Sequence, residues 1–209
     1  LGYYLSELKK NGIYYGFDLN VNNHYRDSDV KYFDGDVDSH ILHWFDPEQI
    51  KIRDSITEQL LNWENPYTGY TIGNDPSTVF VLICNECTIL RKETLCDDNP
   101  YYSKELRMLY NEWLRERYPT REALQYAWTE PNSDRNGLLE NENQFDNTVN
   151  VYGTIEQKNI NSKRYKDNLR FLGHLEETYY RHCIEKIRSY APKVLIEGST
   201  LCLQWSGAV

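Results

Sequence analysis

The chain has 209 residues, 40% of them hydrophobic, with 18 Tyr and 5 Trp, so it carries enough apolar surface to fold. Its net charge is −9 and no basic cluster offsets that charge, which argues against nucleic acid as a partner. No run of about eighteen apolar residues occurs, which argues against a membrane as well. The five Cys are an odd number, so at least one thiol is free or paired outside the chain, and the compartment stays open.

The first two predicted elements are a helix and a strand. Residues 4–8 have helical apolar spacing, and Asn11-Gly12 is a typical end for such a helix. Residues 13–19, IYYGFDL, are short, aromatic and β-branched, which predicts a strand buried on both faces. The polar residues 20–39 then predict a long loop.

A second helix and a second strand follow the loop. Asp46 is a good N-cap and Pro47 is favoured at the first helical position, so these two residues predict a helix that ends near Trp63. The turn-rich residues 65–69 lead to residues 79–84, which are apolar without alternation. That pattern predicts another fully buried strand.

The rest of the chain predicts three helices, a loop and a strand. Apolar residues fall on one side of a helix over 103–118, and a Thr caps a continuation over 120–128. Residues 129–162 are dominated by Asn, Asp, Glu and Gly, which predicts a polar surface loop inserted into the domain. A long amphipathic helix is expected over 163–190, followed by a third buried strand at 193–196.

Three buried strands that alternate with helices predict parallel pairing through right-handed crossovers. The fold class is therefore α/β. Periodicity alone leaves open whether the strands form an open sheet or part of a barrel.

The candidate chemistry lies at the end of the second strand. Asn85 and Glu86 follow it directly, and ligands bind at the carboxyl ends of strands in parallel α/β folds. A glycosidase needs a protonated carboxyl group to donate to the leaving oxygen, a role that suits Glu86, while Asn85 could hydrogen-bond a sugar hydroxyl. The residues alone also fit a structural interpretation, a loop Asn followed by a Glu that starts a helix.

Several further segments have a recognisable order. They are Tyr4 to Tyr14 leading into Asp18-Leu19-Asn20-Val21, Phe45-Asp46-Pro47, Leu60-Leu61, Asn65-Pro66-Tyr67-Thr68-Gly69, Asn85-Glu86, Trp113 to Tyr118, and Arg170-Phe171-Leu172. In this order the chain resembles clan A glycoside hydrolases, especially the bacterial cellulase-like and β-galactosidase-like (β/α)8 TIM barrels. The resemblance covers nearly the whole chain.

The resemblance implies a retaining glycosidase that acts on a β-linked oligo- or polysaccharide. Residues 1–209 would be the central portion of the catalytic barrel, with strands three to five, their helices and long βα loops, and the polar insertion at 129–162. Glu86 would be the acid/base and Asn85 would hold the sugar. The family's nucleophile follows the seventh strand, so it is expected outside this chain, and further segments or subunits would complete the barrel.

Other side chains are candidates for sugar contact. Glu197 follows the third strand and is expected to be a rim or sugar-contacting residue. His24, His40, His43 and Trp44 fall on or near the long loop after the first strand, where sugar contact and an ordinary polar loop are both open. The aromatic residues expected to be exposed for stacking on a pyranose ring are Tyr25, Tyr32, Trp44, Tyr101 and Tyr102, with the alternative that half of them are packing residues, since Tyr is abundant in this chain.

No metal or cofactor is expected. Cys84 and Cys87 form a Cys-x-x-Cys pair, but the first lies in a predicted buried strand and no second pair follows at zinc spacing. The acidic residues between 27 and 36 lack the spacing of a calcium loop. Because the nucleophile is expected elsewhere, a noncatalytic carbohydrate-binding or structural remnant of such a barrel is the alternative to an enzyme.

Overall fold

A computed structural model describes residues 1–19, 42–85, 89, 100–129, 137–151 and 162–199. In these ranges the helices are α1 (Gly2–Lys10), α2 (Pro47–Asn62), α3 (Pro100–Arg117), α4 (Arg121–Trp128) and α5 (Lys163–Tyr190), with a short 3-10 helix at Ile72–Asn74. The strands are β1 (Tyr15–Asp18), β2 (Thr78–Cys84) and β3 (Leu195–Ser199). The order of helices and strands matches the prediction, with boundaries shifted by at most a few residues.

The three strands form one parallel sheet in the order β1-β2-β3. The α/β class and the parallel pairing are therefore confirmed. The prediction that each strand is buried on both faces is wrong for β1 and β3. β1 is only half-buried, and Leu195 at the start of β3 is 70% exposed, because in the described part of the chain each of these strands pairs with β2 alone.

The described residues fall into two compact units. The first contains residues 1–19, 47–85 and 178–199, and so includes the whole sheet. Its core contains residues 81–84 of β2 with Leu61, Ile187 and Val194, all of them buried. Each aliphatic side chain among them stabilises the fold by about 1.5–3 kcal/mol relative to an exposed position.

An ion pair fixes α1 in the first unit. Lys9 Nζ lies 2.7 Å from Asp75 Oδ1, and Asp75 precedes β2. Burial by itself would raise the pKa of Asp75, but hydrogen bonds from Lys9 and from the Ser77 backbone N–H lower it below its ordinary value. Gly12 follows α1 with φ +71°, which explains why a glycine ends this helix.

The second unit contains residues 42–46, 89, 100–129, 137–151 and 162–177. Its core is aromatic: Tyr110, Trp113 and Phe171 are in mutual ring contact, and Trp128 is fully buried. The Thr120 hydroxyl accepts a hydrogen bond from the backbone N–H of Ala123, which confirms the predicted cap of α4.

Apart from its two end residues, the predicted loop at 129–162 is described only over 137–151, and that part contains no helix or strand. The prediction that it lies on the surface is wrong for Glu142, Gln144 and Val149, which are buried. They are buried because the segment is hydrogen-bonded to α3 and α5, with Asn111 bonding both the backbone N–H and the carbonyl of Val149. Among the described residues no helix combines the length and apolar character needed to span a bilayer.

Candidate functional site

The candidate site lies at the carboxyl edge of the sheet. The three parallel strands end there at Asp18, Cys84 and Ser199, and Asn85 follows β2 as an exposed residue. Asn85 is therefore at the position predicted for it. Glu86 and His24 lie outside the described residues, as do His40, Tyr25, Tyr32 and Cys87.

Two carboxylates flank β2 on one face of the sheet. Asp18 pairs with Leu82, and Leu82 pairs in turn with Glu197, so the three side chains form one row and project from the same face. Two interstrand spacings place the Cα atoms of Asp18 and Glu197 about 10 Å apart. Glu197 is exposed, and its contact with a ligand stays a prediction.

The sequence interpretation missed Asp18 as a site residue. The sequence contained a signal for it, because Asp18 is the last residue of its strand and Glu197 lies close to the end of another. What the sequence could not give is the register, which places the two carboxylates in the same row.

An aromatic ring lies on the same face, one row closer to the start of the strands. Gly16 pairs with Phe80, and Phe80 pairs with Leu195. The Phe80 ring covers Gly16 so closely that a Cβ at position 16 would overlap it. We call Gly16, Asp18, Phe80, Leu82, Leu195 and Glu197 the carboxylate face. It combines a partly exposed ring with two carboxylates.

Neither of the two described cysteines, Cys84 and Cys183, is suited to nucleophilic chemistry. Cys84 is buried, with its Sγ 3.6 Å from the Tyr180 hydroxyl and 3.8 Å from the Gly198 carbonyl oxygen. Burial raises the pKa of the Cys183 thiol to about 12, so this thiol stays protonated at neutral pH. In the described ranges no group of three or more His, Cys, Asp or Glu side chains could hold a metal ion.

Two aromatic residues are not exposed as predicted. Trp44 is 3% exposed and packs on His43, with ring centroids 4.5 Å apart, and Tyr102 is fully buried. The prediction of exposure is therefore wrong for both, because these rings supply the core of the second unit. Tyr101 is 38% exposed, as predicted. Sugar contact by Trp44 remains an untested prediction.

Comparisons with known proteins give no further assignment. No family model, no curated protein and no solved structure matches the chain.

Proposed function

We propose that the chain is the central part of a retaining glycoside hydrolase with a (β/α)8 barrel, acting on a β-linked oligo- or polysaccharide. Glu86 is the acid/base, and Asn85 holds the sugar at the scissile bond. The nucleophilic carboxylate comes from a segment outside residues 1–209, and further segments or subunits supply the remaining strands of the barrel.

One observation carries this proposal. Asn85 immediately follows the central strand of a parallel sheet, at the edge where such folds bind their ligands, and Glu86 is the next residue in the chain. A neutral Asn beside a Glu suits a site in which one group orients a sugar hydroxyl and the other transfers a proton.

The carboxylate face adds a second line of support. The Phe80 ring offers an apolar surface for the C–H face of a pyranose ring, while Asp18 and Glu197 offer oxygens that accept hydrogen bonds from sugar hydroxyls. Glu197 is assigned here to substrate contact.

The chemistry takes place in two steps. In the first, the nucleophile attacks the anomeric carbon while protonated Glu86 gives its proton to the leaving oxygen, so the glycosidic bond breaks and a glycosyl-enzyme forms. In the second, Glu86 as carboxylate removes a proton from water, the water oxygen attacks the anomeric carbon, and the nucleophile is released. Glu86 ends the cycle protonated, as it began.

The test is a Glu86→Gln variant of the full-length protein, assayed on neutral β-linked oligosaccharides. We expect kcat/KM to fall by about 10²–10⁴, since the amide cannot transfer the proton. With an aryl glycoside, whose leaving group needs little protonation, the rate of the first step should fall less. Glu58→Gln, an exposed position on α2, is the matched control and should retain wild-type turnover.

Normal turnover by Glu86→Gln would refute the assignment of Glu86. If the wild-type protein binds these sugars and hydrolyses none of them, the function is noncatalytic carbohydrate binding.

A further inference from the structure

A groove runs along α3 in the second unit. None of its lining residues belongs to the sheet. Two adjoining cavities of about 430 and 410 Å³ form it, and both are lined by Lys104, Met108 and Asn147. One wall is α3, and the other is the irregular segment 141–150. A cavity of this size accommodates a small ligand or part of a longer one.

The charges that line the groove are balanced. Three side chains are cationic and three carry carboxyl groups, although the whole chain has a net charge of −9. They are Lys104, Arg107 and Arg115, and Glu105, Glu112 and Asp146. Because the pKa of Glu105 is raised to about 7, this carboxyl group is only partly ionised near neutral pH, so the lining carries at most a small net positive charge and fits a neutral polar ligand better than a strongly charged one.

The remaining lining supplies both hydrogen bonds and an apolar surface. Asn141, Asn147 and Asn150 each offer an amide that donates and accepts, which is the requirement of a hydroxyl-rich ligand. Tyr101, Met108 and Leu109 line the second cavity and give it apolar surface. Asn147 lines both cavities and so shares one of them with Tyr101, a combination that suits the hydroxyl edge and the C–H face of a pyranose.

Two side chains of the lining each have one polar atom without a partner among the described residues. The Glu105 Oε2 and Arg107 Nε atoms are buried without a hydrogen bond there. The burial of Glu105, together with the nearby charge of Asp46, raises its pKa to about 7, so a good fraction of this carboxyl group is protonated near neutral pH and can donate as well as accept.

The irregular wall is preorganised. Asn147 has φ 55°, and its Oδ1 accepts a hydrogen bond of 2.8 Å from Arg115. Asn143 and Thr148 close the preceding turn, with the Asn143 backbone N–H donating to the Thr148 hydroxyl at 2.7 Å. A wall already held in place loses little entropy when a ligand binds.

We infer that this groove is a binding site for a neutral saccharide chain, with Tyr101 as the stacking ring and the three Asn amides as hydrogen-bonding partners. The inference does not depend on Glu86. It holds for an enzyme with an additional binding site and for a noncatalytic protein alike.

The experiment measures calorimetric binding of four neutral β-linked hexasaccharides, built from glucose, xylose, mannose or galactose, to the full-length protein. All proteins carry Glu86→Gln so that the probes stay intact. Tyr101→Ala should weaken binding of the recognised hexasaccharide at least about tenfold. Tyr126→Ala is the matched control, since this Tyr is 85% exposed on α4 and lies outside the groove, and it should leave binding unchanged.

Lysine acetylation followed by mass spectrometry locates the bound sugar. Lys104 in the groove should be protected, while exposed Lys166 on α5 should not. The inference is overturned if none of the four sugars binds, if Tyr101→Ala and Tyr126→Ala behave alike, or if Lys104 stays reactive. Tighter binding of an anionic hexasaccharide of galacturonic acid would also overturn it. Loss of turnover in Glu86→Gln is a separate result, so the two proposals can fail independently.

Discussion

Glu105 shows how the fold changes the chemistry of a single carboxyl group. It lies partly buried on α3, with an Oε2 atom that has no hydrogen-bond partner in the described part of the chain. Burial disfavours its charged form, and the negative charge of Asp46 adds to that effect, so its pKa is raised from 4.5 to about 7. The protonated form is therefore favoured in the folded protein.

This shift makes stability depend on pH in a definite direction. Between pH 4.5 and about 7 the unfolded chain has lost this proton while the folded chain still binds it. The contribution of Glu105 is thus fully present below pH 4.5, and it decreases as the pH rises through about 7. Gln does not titrate, so the Glu105→Gln variant lacks this pH dependence. We therefore expect the free energy of unfolding of the variant, minus that of the wild type, to increase between pH 4.5 and pH 8.

Urea unfolding of both proteins at the two pH values measures the difference. The internal control is a further measurement well below pH 4.5, because Glu105 is then protonated in both the folded and the unfolded chain and matches Gln in charge. An unchanged difference at pH 8 would show that the carboxyl group ionises in the folded protein as it does in the unfolded chain.

Among the elements, the segment 137–151 shows how a stretch without helix or strand is held in place. Arg164 on α5 makes two 2.6 Å bonds to the carboxylate oxygens of Glu142, and both side chains are only 2% exposed. Arg164 also lies over the Trp128 ring, 4.9 Å from its centroid. A bidentate pair with this geometry fixes the segment against α5.

Removing one partner of this ion pair should reduce the free energy of unfolding more than removing both partners. Arg164→Met leaves the Glu142 carboxylate buried without its cation, so we expect a loss of about 3–5 kcal/mol in the free energy of unfolding. The double variant Arg164→Met, Glu142→Leu removes both charges and should recover a large part of that loss. Urea unfolding of the single and double variants measures both values, and a single variant as stable as the wild type would mean that the pair does not hold the segment.

The sequence predicted these elements unequally, for physical reasons. Local signals were sufficient for α2, where Pro47 begins the helix, and for α4, where Thr120 caps it. The buried Glu142 could not be predicted, because a Glu in an Asn- and Asp-rich stretch is normally solvated and its partner lies 22 residues away. Trp44 was misjudged for a related reason, since its burial depends on packing partners that the surrounding residues do not reveal.

At the scale of the whole molecule, alternation of helices and strands was enough to predict a parallel sheet. It was not enough to predict how strands align, and the row of Asp18, Leu82 and Glu197 depends on that alignment. The sequence therefore predicted which edge of the sheet carries Asn85, but not that Asp18 shares a row with Glu197.

The exposed edge strand β3 leads to a testable prediction about self-association of the 209-residue chain. In the described ranges β3 pairs with β2 alone, and Leu195 on β3 is 70% exposed. An apolar strand edge is a template for pairing with another chain, so we expect self-association that grows with concentration. Leu195→Lys should raise the midpoint concentration for association at least about tenfold, because it removes an apolar contact and adds like charges at the edge.

Sedimentation velocity over a range of concentrations measures that midpoint, and Ile184→Lys is the matched control. Ile184 is an exposed aliphatic residue on α5, so its replacement changes the net charge by the same amount without touching the sheet. The added Lys moves the net charge from −9 toward zero in both variants, which by itself favours association, so an equal rise in the two midpoints would contradict a contact specific to β3. A shift confined to Leu195→Lys would place the contact at β3, since only that variant alters the strand edge.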